Sequence, residues 1–240
     1  MSLIETVSKK LLRKSAIIYK QQISDSVYHI RLQSRSLKNV SYRPGCVLRV
    51  FCGMDADLGK REKARSYSVW NFNRTDQTID IAVNTHSRGL GSNWAKLCKT
   101  GDIVYFTWHK GNFTLDHTGD HYLLIGDLCT LPHFYAINRH LPSGKNVDSL
   151  IYFGREGDLF PDIDGHEPFT FHQLPVNPTD AIIEKLSTFL LQATGRRIAY
   201  IGGDSRICLS VNRYFRQDIQ TSDGQIRLKP FWAPVMRALK

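Results

Sequence analysis

The feature that most constrains the fold of this chain is a change of rhythm near His117-Thr118-Gly119-Asp120. Before it, short apolar or alternating runs at 26–32, 46–51, 66–70, 78–84 and 102–108 are separated by Gly, Pro, Asn and Asp. Period-two alternation broken by turn residues is how antiparallel strands read, and five such runs predict a β-barrel over residues 1–117. After it, strand-like runs at 121–126, 148–154, 169–174 and 196–202 are interleaved with helical patterns at 131–141, 180–193 and 206–217. A strand that feeds a helix, repeated, builds a parallel sheet. The chain thus reads as two domains, an antiparallel barrel over 1–117 and a parallel-sheet α/β domain over 118–240, with no low-complexity linker between them.

Both ends of the range of function classes narrow quickly. Hydrophobic residues make up 42% of the 240, enough for packed cores. Leu3, Ile4, Val7, Leu11 and Leu12 are interrupted by Lys9, Lys10, Arg13 and Lys14, a spacing that predicts an amphipathic helix over residues 1–14 rather than a secretory leader. No run approaches the roughly 20 apolar residues that cross a bilayer, so a cytoplasmic protein without membrane insertion is expected. The five cysteines, Cys46, Cys52, Cys98, Cys129 and Cys208, form no Cys-x-x-Cys pair. There is no His-Glu-x-x-His and no Gly-x-Ser-x-Gly. Zinc sites, redox dithiols, metal hydrolysis and serine catalysis are therefore not expected.

Charge is asymmetric. Residues 1–115 hold 19 Lys or Arg against 8 Asp or Glu, net +11, whereas 116–240 hold 13 against 14, net −1. A basic first half suits an anionic ligand or partner such as a dinucleotide, an acidic electron carrier, an anionic chelate or a nucleic acid. The last would use Tyr67, Trp70 and Phe72 as stacking platforms.

Two motifs in that basic half carry chemistry, Arg65-Ser66-Tyr67-Ser68 and His86-Ser87-Arg88-Gly89-Leu90-Gly91-Ser92-Asn93-Trp94. A guanidinium, a flat aromatic and a small hydroxyl at a strand end suit a diphosphate, a ring face and a ring nitrogen. The Gly-Leu-Gly-Ser turn offers bare backbone N–H groups at a helix start, where an anion is favoured. Read together the motifs suit a flavin. In the second half, Gly126-Asp127-Leu128-Cys129-Thr130-Leu131-Pro132 and Gly202-Gly203-Asp204 are strand ends that run into helices, where open α/β sheets take ligands. No Gly-x-Gly-x-x-Gly is present, so a nicotinamide cofactor does not follow from glycines.

The order of these motifs, with Gly101-Asp102 between them and Phe231-Trp232 near the end, resembles the siderophore-interacting proteins, flavin-dependent ferric-chelate reductases of the ferredoxin-NADP reductase superfamily. The resemblance implies an FAD-binding β-barrel followed by a nucleotide-binding-like α/β domain, and reduction of Fe(III) held in a siderophore. Flavin would carry the chemistry, taking electrons from a donor and passing them singly to iron, with no catalytic side chain and no protein-bound metal. It implies that Arg65 meets the FAD phosphates, Tyr67 the isoalloxazine face and Ser68 its reactive edge, with Ser66, His86, Gly89, Gly91 and Ser92 completing the cofactor site. Trp94 reads as core packing. Asp127, Thr130, Asp204 and Trp232 would face the electron donor, which is NADH, NADPH or a ferredoxin. By charge and chain position, Lys60, Arg61, Lys63, Arg237 and Lys240 are candidates for holding the anionic ferric siderophore. The chain departs from the family pattern at Trp70, Leu90, Leu128, Asp204 and Ala233, which bears on outer contacts. A monomer is expected. The alternatives are a general NAD(P)H:flavin oxidoreductase or electron-transfer component acting on a protein, and, more remotely, a nucleic-acid-binding barrel without flavin.

Overall fold

A computed structural model describes residues 12–52, 64–175, 178–192 and 195–234 of the chain. It divides into two compact units between Thr114 and Leu115.

The first unit holds β1 (Arg13–Ser24), β2 (Val27–Gln33), β3 (Val47–Phe51), β4 (Ala64–Ser68), β5 (Asn71–Asn73), β6 (Thr78–Asn84) and β7 (Ile103–His109), with helix α1 (Leu90–Leu97). The strands form one antiparallel sheet in the order β4-β3-β7-β1-β2-β6-β5. Its outermost strands, β4 and β5, are joined by Val69 and Trp70 alone. Three peptide steps reach at most about 11 Å, so the sheet has to curl until its edges meet. The backbone seals the curl: Val69 N–H donates to the Cys46 carbonyl of the segment entering β3 at 3.0 Å, and Trp70 N–H to Asp80 of β6 at 2.9 Å. Inside lie Ile17, Ile30, Leu48, Val50, Ile81 and Phe106, with Ala95 of α1 packed among them. Trp70 is buried and Tyr67 and Phe72 lean on this core, so the three aromatics form no open stacking row.

A buried carboxylate sets the register of three strands. Asp80 on β6 accepts from Arg31 Nε of β2 at 2.7 Å and Asn71 Nδ2 of β5 at 3.1 Å, and shares a 2.6 Å bond with His29 Nε2 of β2. Burial alone would raise its pKa, but the bonds from His29 and Arg31 outweigh burial and hold it below the ordinary carboxylate value.

The expected amphipathic helix over 1–14 is corrected where it can be seen. Residues 1–11 lie outside the described residues, and Arg13 and Lys14 begin β1, paired with Phe106 and Tyr105 of β7. The β-branched and aromatic residues Ile17, Ile18 and Tyr19 and the pairing with β7 on one side and β2 on the other win over the periodicity of the preceding lysines.

The second unit holds β8 (His121–Asp127), α2 (Leu131–Asn138), β9 (Asn146–Phe153), β10 (Phe171–Gln173), α3 (Thr179–Gln192), β11 (Arg197–Asp204), α4 (Ser205–Gln217) and β12 (Ile226–Trp232). All five strands are parallel, in the order β10-β9-β8-β11-β12. The chain winds outward from β8 through β9 and β10, then returns to β11 on the other side. The winding reverses between β8 and β11, the place where such sheets take ligands beyond their carboxyl ends. Central parallel strands are covered on both faces, which is why Tyr122-Leu123-Leu124-Ile125 and Ile198-Ala199-Tyr200-Ile201 are unbroken apolar runs. Ile182 and Leu186 of α3 and Ile207, Val211 and Phe215 of α4 pack with Leu123, Ile125, Ala199 and Ile201. The alternate face carries Gly126, against which Phe134 of α2 packs, so α2 covers the opposite side.

Candidate functional site

The two basic-half motifs, about twenty residues apart in sequence, meet in the fold. On β4, Arg65 and Tyr67 share a face because strand side chains alternate, opposite Val50 and Leu48 of β3. Gly91, in the first turn of α1, presses onto that face. A Cβ there would overlap the Tyr67 hydroxyl and stand 3.3 Å from Arg65 Cγ, so only glycine admits the helix start this close. Tyr67 is further fixed by Trp94, its ring centroid 6.1 Å away at 34°, and by Cys52, whose Sγ is 3.9 Å from its hydroxyl. Burial pushes the Tyr67 phenol far above its ordinary pKa and the Cys52 thiol up to about 11, so both stay protonated and present no charge beside the guanidinium.

The loop entering α1 is tied to itself. Asn84 Oδ1 accepts from the His86 N–H at 2.9 Å, and His86 Nε2 lies 3.0 Å from Ser26 Oγ. Ser92 Oγ stands 2.8 Å from Ser87 Oγ and donates to the Asn84 carbonyl at 3.4 Å, so its hydroxyl serves the loop. Gly89 caps α1 in an extended conformation with no side-chain cap bond. The first-turn N–H groups of an uncapped helix have no intrahelical acceptor and attract an anion. Gly89 is exposed, Gly91 is buried and Arg65 is exposed beside it. A flat aromatic, a guanidinium and free helix-start donors on one face fit a flavin dinucleotide. Ser66 is exposed, and Ser68 is buried at the strand end, opposite Val47.

A second cluster lies at the carboxyl ends of β8, β11 and β12. Asp127, nearly enclosed, accepts from Cys129 N–H at 2.9 Å, Asp204 N–H at 3.1 Å and Trp232 Nε1 at 2.7 Å. Since β11 lies between β8 and β12, the indole of Trp232 crosses the end of β11 to reach it. Thr130, fully buried, donates its hydroxyl to the Asp127 carbonyl at 2.6 Å. Asp204 caps α4, accepting from Arg206 N–H at 2.9 Å and pairing with its guanidinium at 2.7 Å. The four residues expected on the donor side, Asp127, Thr130, Asp204 and Trp232, are thus one constellation. Phe231 stands beside the buried ring of His133, 5.7 Å between centroids.

Burial pushes the Asp127 pKa up to about 6, assisted by the charge of Asp204 and partly offset by the three N–H bonds. A carboxyl that holds its proton more tightly when folded contributes most below its unfolded value near 3.8 and loses that contribution as pH rises through about 6. Asp127→Asn removes the titration. Its midpoint of chemical unfolding, measured against the parent at pH 5 and pH 7.5, is expected to improve relative to the parent at the higher pH. A difference that does not vary with pH would contradict the raised pKa.

Sequence reasoning missed the glycines that make this cluster possible. Gly203, at φ +104°, lies where a Cβ would come within 2.6 Å of Asp127 Oδ2, and Cβ atoms on Gly126 or Gly202 would strike Thr130. Their signal in the sequence is three glycines at two strand ends, which suit the approach of a ligand and a plain strand-to-helix turn equally well. Lys60, Arg61, Lys63, Arg237 and Lys240 lie outside the described residues. Among the described residues no group of three or more His, Cys, Asp or Glu side chains could hold a metal ion, and no helix is long and apolar enough to cross a membrane.

Comparison with known proteins covers both units. Residues 18–112 match the siderophore-interacting FAD-binding domain, and residues 119–234 match the family described as siderophore-interacting protein. The ferric vibriobactin reductase ViuB of Vibrio cholerae is 23% identical over 175 residues, covering 70% of this chain and 64% of that relative's length. The solved structure of the siderophore-interacting protein of Acinetobacter baumannii aligns with a TM-score of 0.79 at 15% identity, covering 95% of this chain and 92% of the other. SipS of Aeromonas hydrophila aligns at 0.77 and 18% identity, covering 94% and 93%. The ferredoxin-NADP+ reductase of Plasmodium falciparum aligns at 0.70 and 15% identity, covering 91% and 96%. At such identities the structural likeness speaks for the fold, a β-barrel followed by a parallel α/β unit.

Proposed function

Because the chain belongs to the siderophore-interacting protein family and carries its FAD-binding domain, we propose that it is an FAD-dependent reductase that releases iron by reducing Fe(III) chelated in a siderophore. The observation that carries this reading is the convergence of Arg65, Tyr67 and the start of α1 at Gly91. Bound FAD would supply the redox chemistry between an electron donor and Fe(III), whose reduction loosens a ligand set suited to the harder ion. The residues bind and orient. Arg65 offers a rigid fork of donors to the diphosphate, and the N–H groups of the first turn of α1 complete its neutralisation. Tyr67, locked between Gly91 and Trp94, gives the flavin ring a flat wall. Ser66, Ser68, His86, Gly89 and Ser92 complete the proposed cofactor site. No proton-transfer group is needed at the iron, because one-electron reduction of a chelate breaks no covalent bond.

The donor side is the cluster of Asp127, Thr130, Asp204 and Trp232 at the reversal of the parallel sheet, and the donor is NADH, NADPH or a ferredoxin. The basic character of the first half suits the anionic chelate, with Lys60, Lys63, Arg237 and Lys240 as its candidate ligands. The test is a visible spectrum of the purified protein loaded with FAD and gel-filtered, followed by anaerobic photoreduction and addition of a ferric siderophore. A retained flavin spectrum that reoxidises on adding the chelate is the expected result. A flavin that reoxidises with a ferredoxin and not with ferric chelates would turn the reading to an electron-transfer component, and a colourless protein would sink the flavin site.

A further inference from the structure

A second concavity lies at the start of β1, sharing no residue with the flavin cradle. It is an open hollow of about 590 Å³, lined by the first residues of β1, the turn after β2 and Ile103 of β7. Three of the residues around it, Arg13, Lys14 and Arg35, are cationic, and none is acidic. No salt bridge joins any of the three to a described carboxylate.

The walls are fastened rather than loose. Ser34 Oγ donates to the Lys14 carbonyl at 2.6 Å, accepts from the Ser36 N–H at 3.3 Å and lies 2.8 Å from Ser36 Oγ. Arg13 Nη1 donates to the Ser36 carbonyl at 2.6 Å, and Ser15 Oγ to the Val104 carbonyl of β7 at 3.0 Å. These bonds hold the turn of Ser34, Arg35 and Ser36 against β1, so the frame is ordered before anything binds. Arg13 spends one of its five N–H groups on that frame. Leu12, Ala16 and Ile103 add apolar surface, and Ile103 is half exposed although large and apolar.

We propose that this cavity is a binding site for a small organic anion carrying at least two negative charges and an apolar or aromatic body. Its volume falls within the roughly 300–1,000 Å³ of small-molecule sites. Cations around a concave wall focus their field on its interior, and guanidinium forks recognise phosphate or carboxylate groups bidentately. Phosphate and carboxylate ligands share that chemistry, and the probes separate them.

The protein is used loaded with FAD, so that the flavin cradle is filled, and titrated calorimetrically with 5′-AMP, inorganic pyrophosphate and citrate. AMP is expected to bind more tightly than pyrophosphate because of the apolar wall, and both more tightly than citrate if the site is built for phosphate. The order reverses for citrate if it is built for carboxylates. Lys14→Ser combined with Arg35→Ser removes two exposed side chains that hold up no part of the frame, and is expected to weaken binding by about tenfold or more while leaving flavin absorbance unchanged. Lys14→Arg with Arg35→Lys, which keeps the charge, is expected to retain it. Absence of binding by all three probes, or binding that the Ser variants leave intact, would overturn the proposal. Neither result touches the flavin reading, which is judged by the bound spectrum.

Discussion

Replacing Gly203 with alanine is expected to cost the α/β unit about 3 kcal/mol of stability. Two causes add. The backbone at Gly203 has φ +104°, a region that L side chains rarely adopt, and the new methyl would sit 2.6 Å from one carboxylate oxygen of Asp127 and 2.8 Å from its carbon. That carboxylate has little freedom to move aside, because the N–H groups of Cys129, Asp204 and Trp232 hold it from three directions. Urea unfolding of the variant and parent measures the effect, with Gly144→Ala as the control for positive φ without a close neighbour, at φ +81°. Gly144→Ala should lose only the conformational part. Equal losses in the two variants would mean that Asp127 yields and that the cluster is softer than its geometry indicates.

The second large effect is on cofactor retention. Arg65→Ala is expected to weaken FAD binding by about 100-fold, the worth of a bidentate charge-assisted contact to phosphate, with Arg65→Lys falling in between because an ammonium keeps charge and loses the fork. Quenching of FAD fluorescence on titration reads the affinity. The flavin-free protein should unfold at nearly the same temperature with and without the substitution, since Arg65 is exposed. Unchanged affinity for FAD would remove Arg65 from the phosphate site.

Much of this was legible in the sequence, and the exceptions have physical reasons. The five runs of the first half became β2, β3, β4, β6 and β7, and the strand–helix alternation of the second became the parallel sheet, because burial on one face or two faces writes itself into period and composition. β5 and β12 left weaker marks. Asn71-Phe72-Asn73 is three residues held by pairing with β6, and Ile226–Trp232 contains Pro230, which an edge strand tolerates and a central one does not. The motif at 65–68 and the turn at 89–92 suggested a common site by chemistry alone. That Gly91 is the point of contact needed the fold, since nothing in a sequence says which neighbour a missing side chain makes room for. The same holds for Asp127. Its position at a strand end was visible, but its three donors come from a turn, the next strand in the sheet and an indole 105 residues away.

The link of Val69 and Trp70 has a consequence for how the site varies. β4 carries Arg65 and Tyr67, and the same short link that leads out of it also closes the barrel. An inserted residue between Ser68 and Asn71 would lengthen that link and loosen the seam that Val69 and Trp70 N–H close, at the end of the strand that carries the two side chains. The placing of Arg65 and Tyr67 and the closure of the barrel thus depend on one short stretch of chain. Along this stretch the chain is expected to tolerate a substitution better than a change of length.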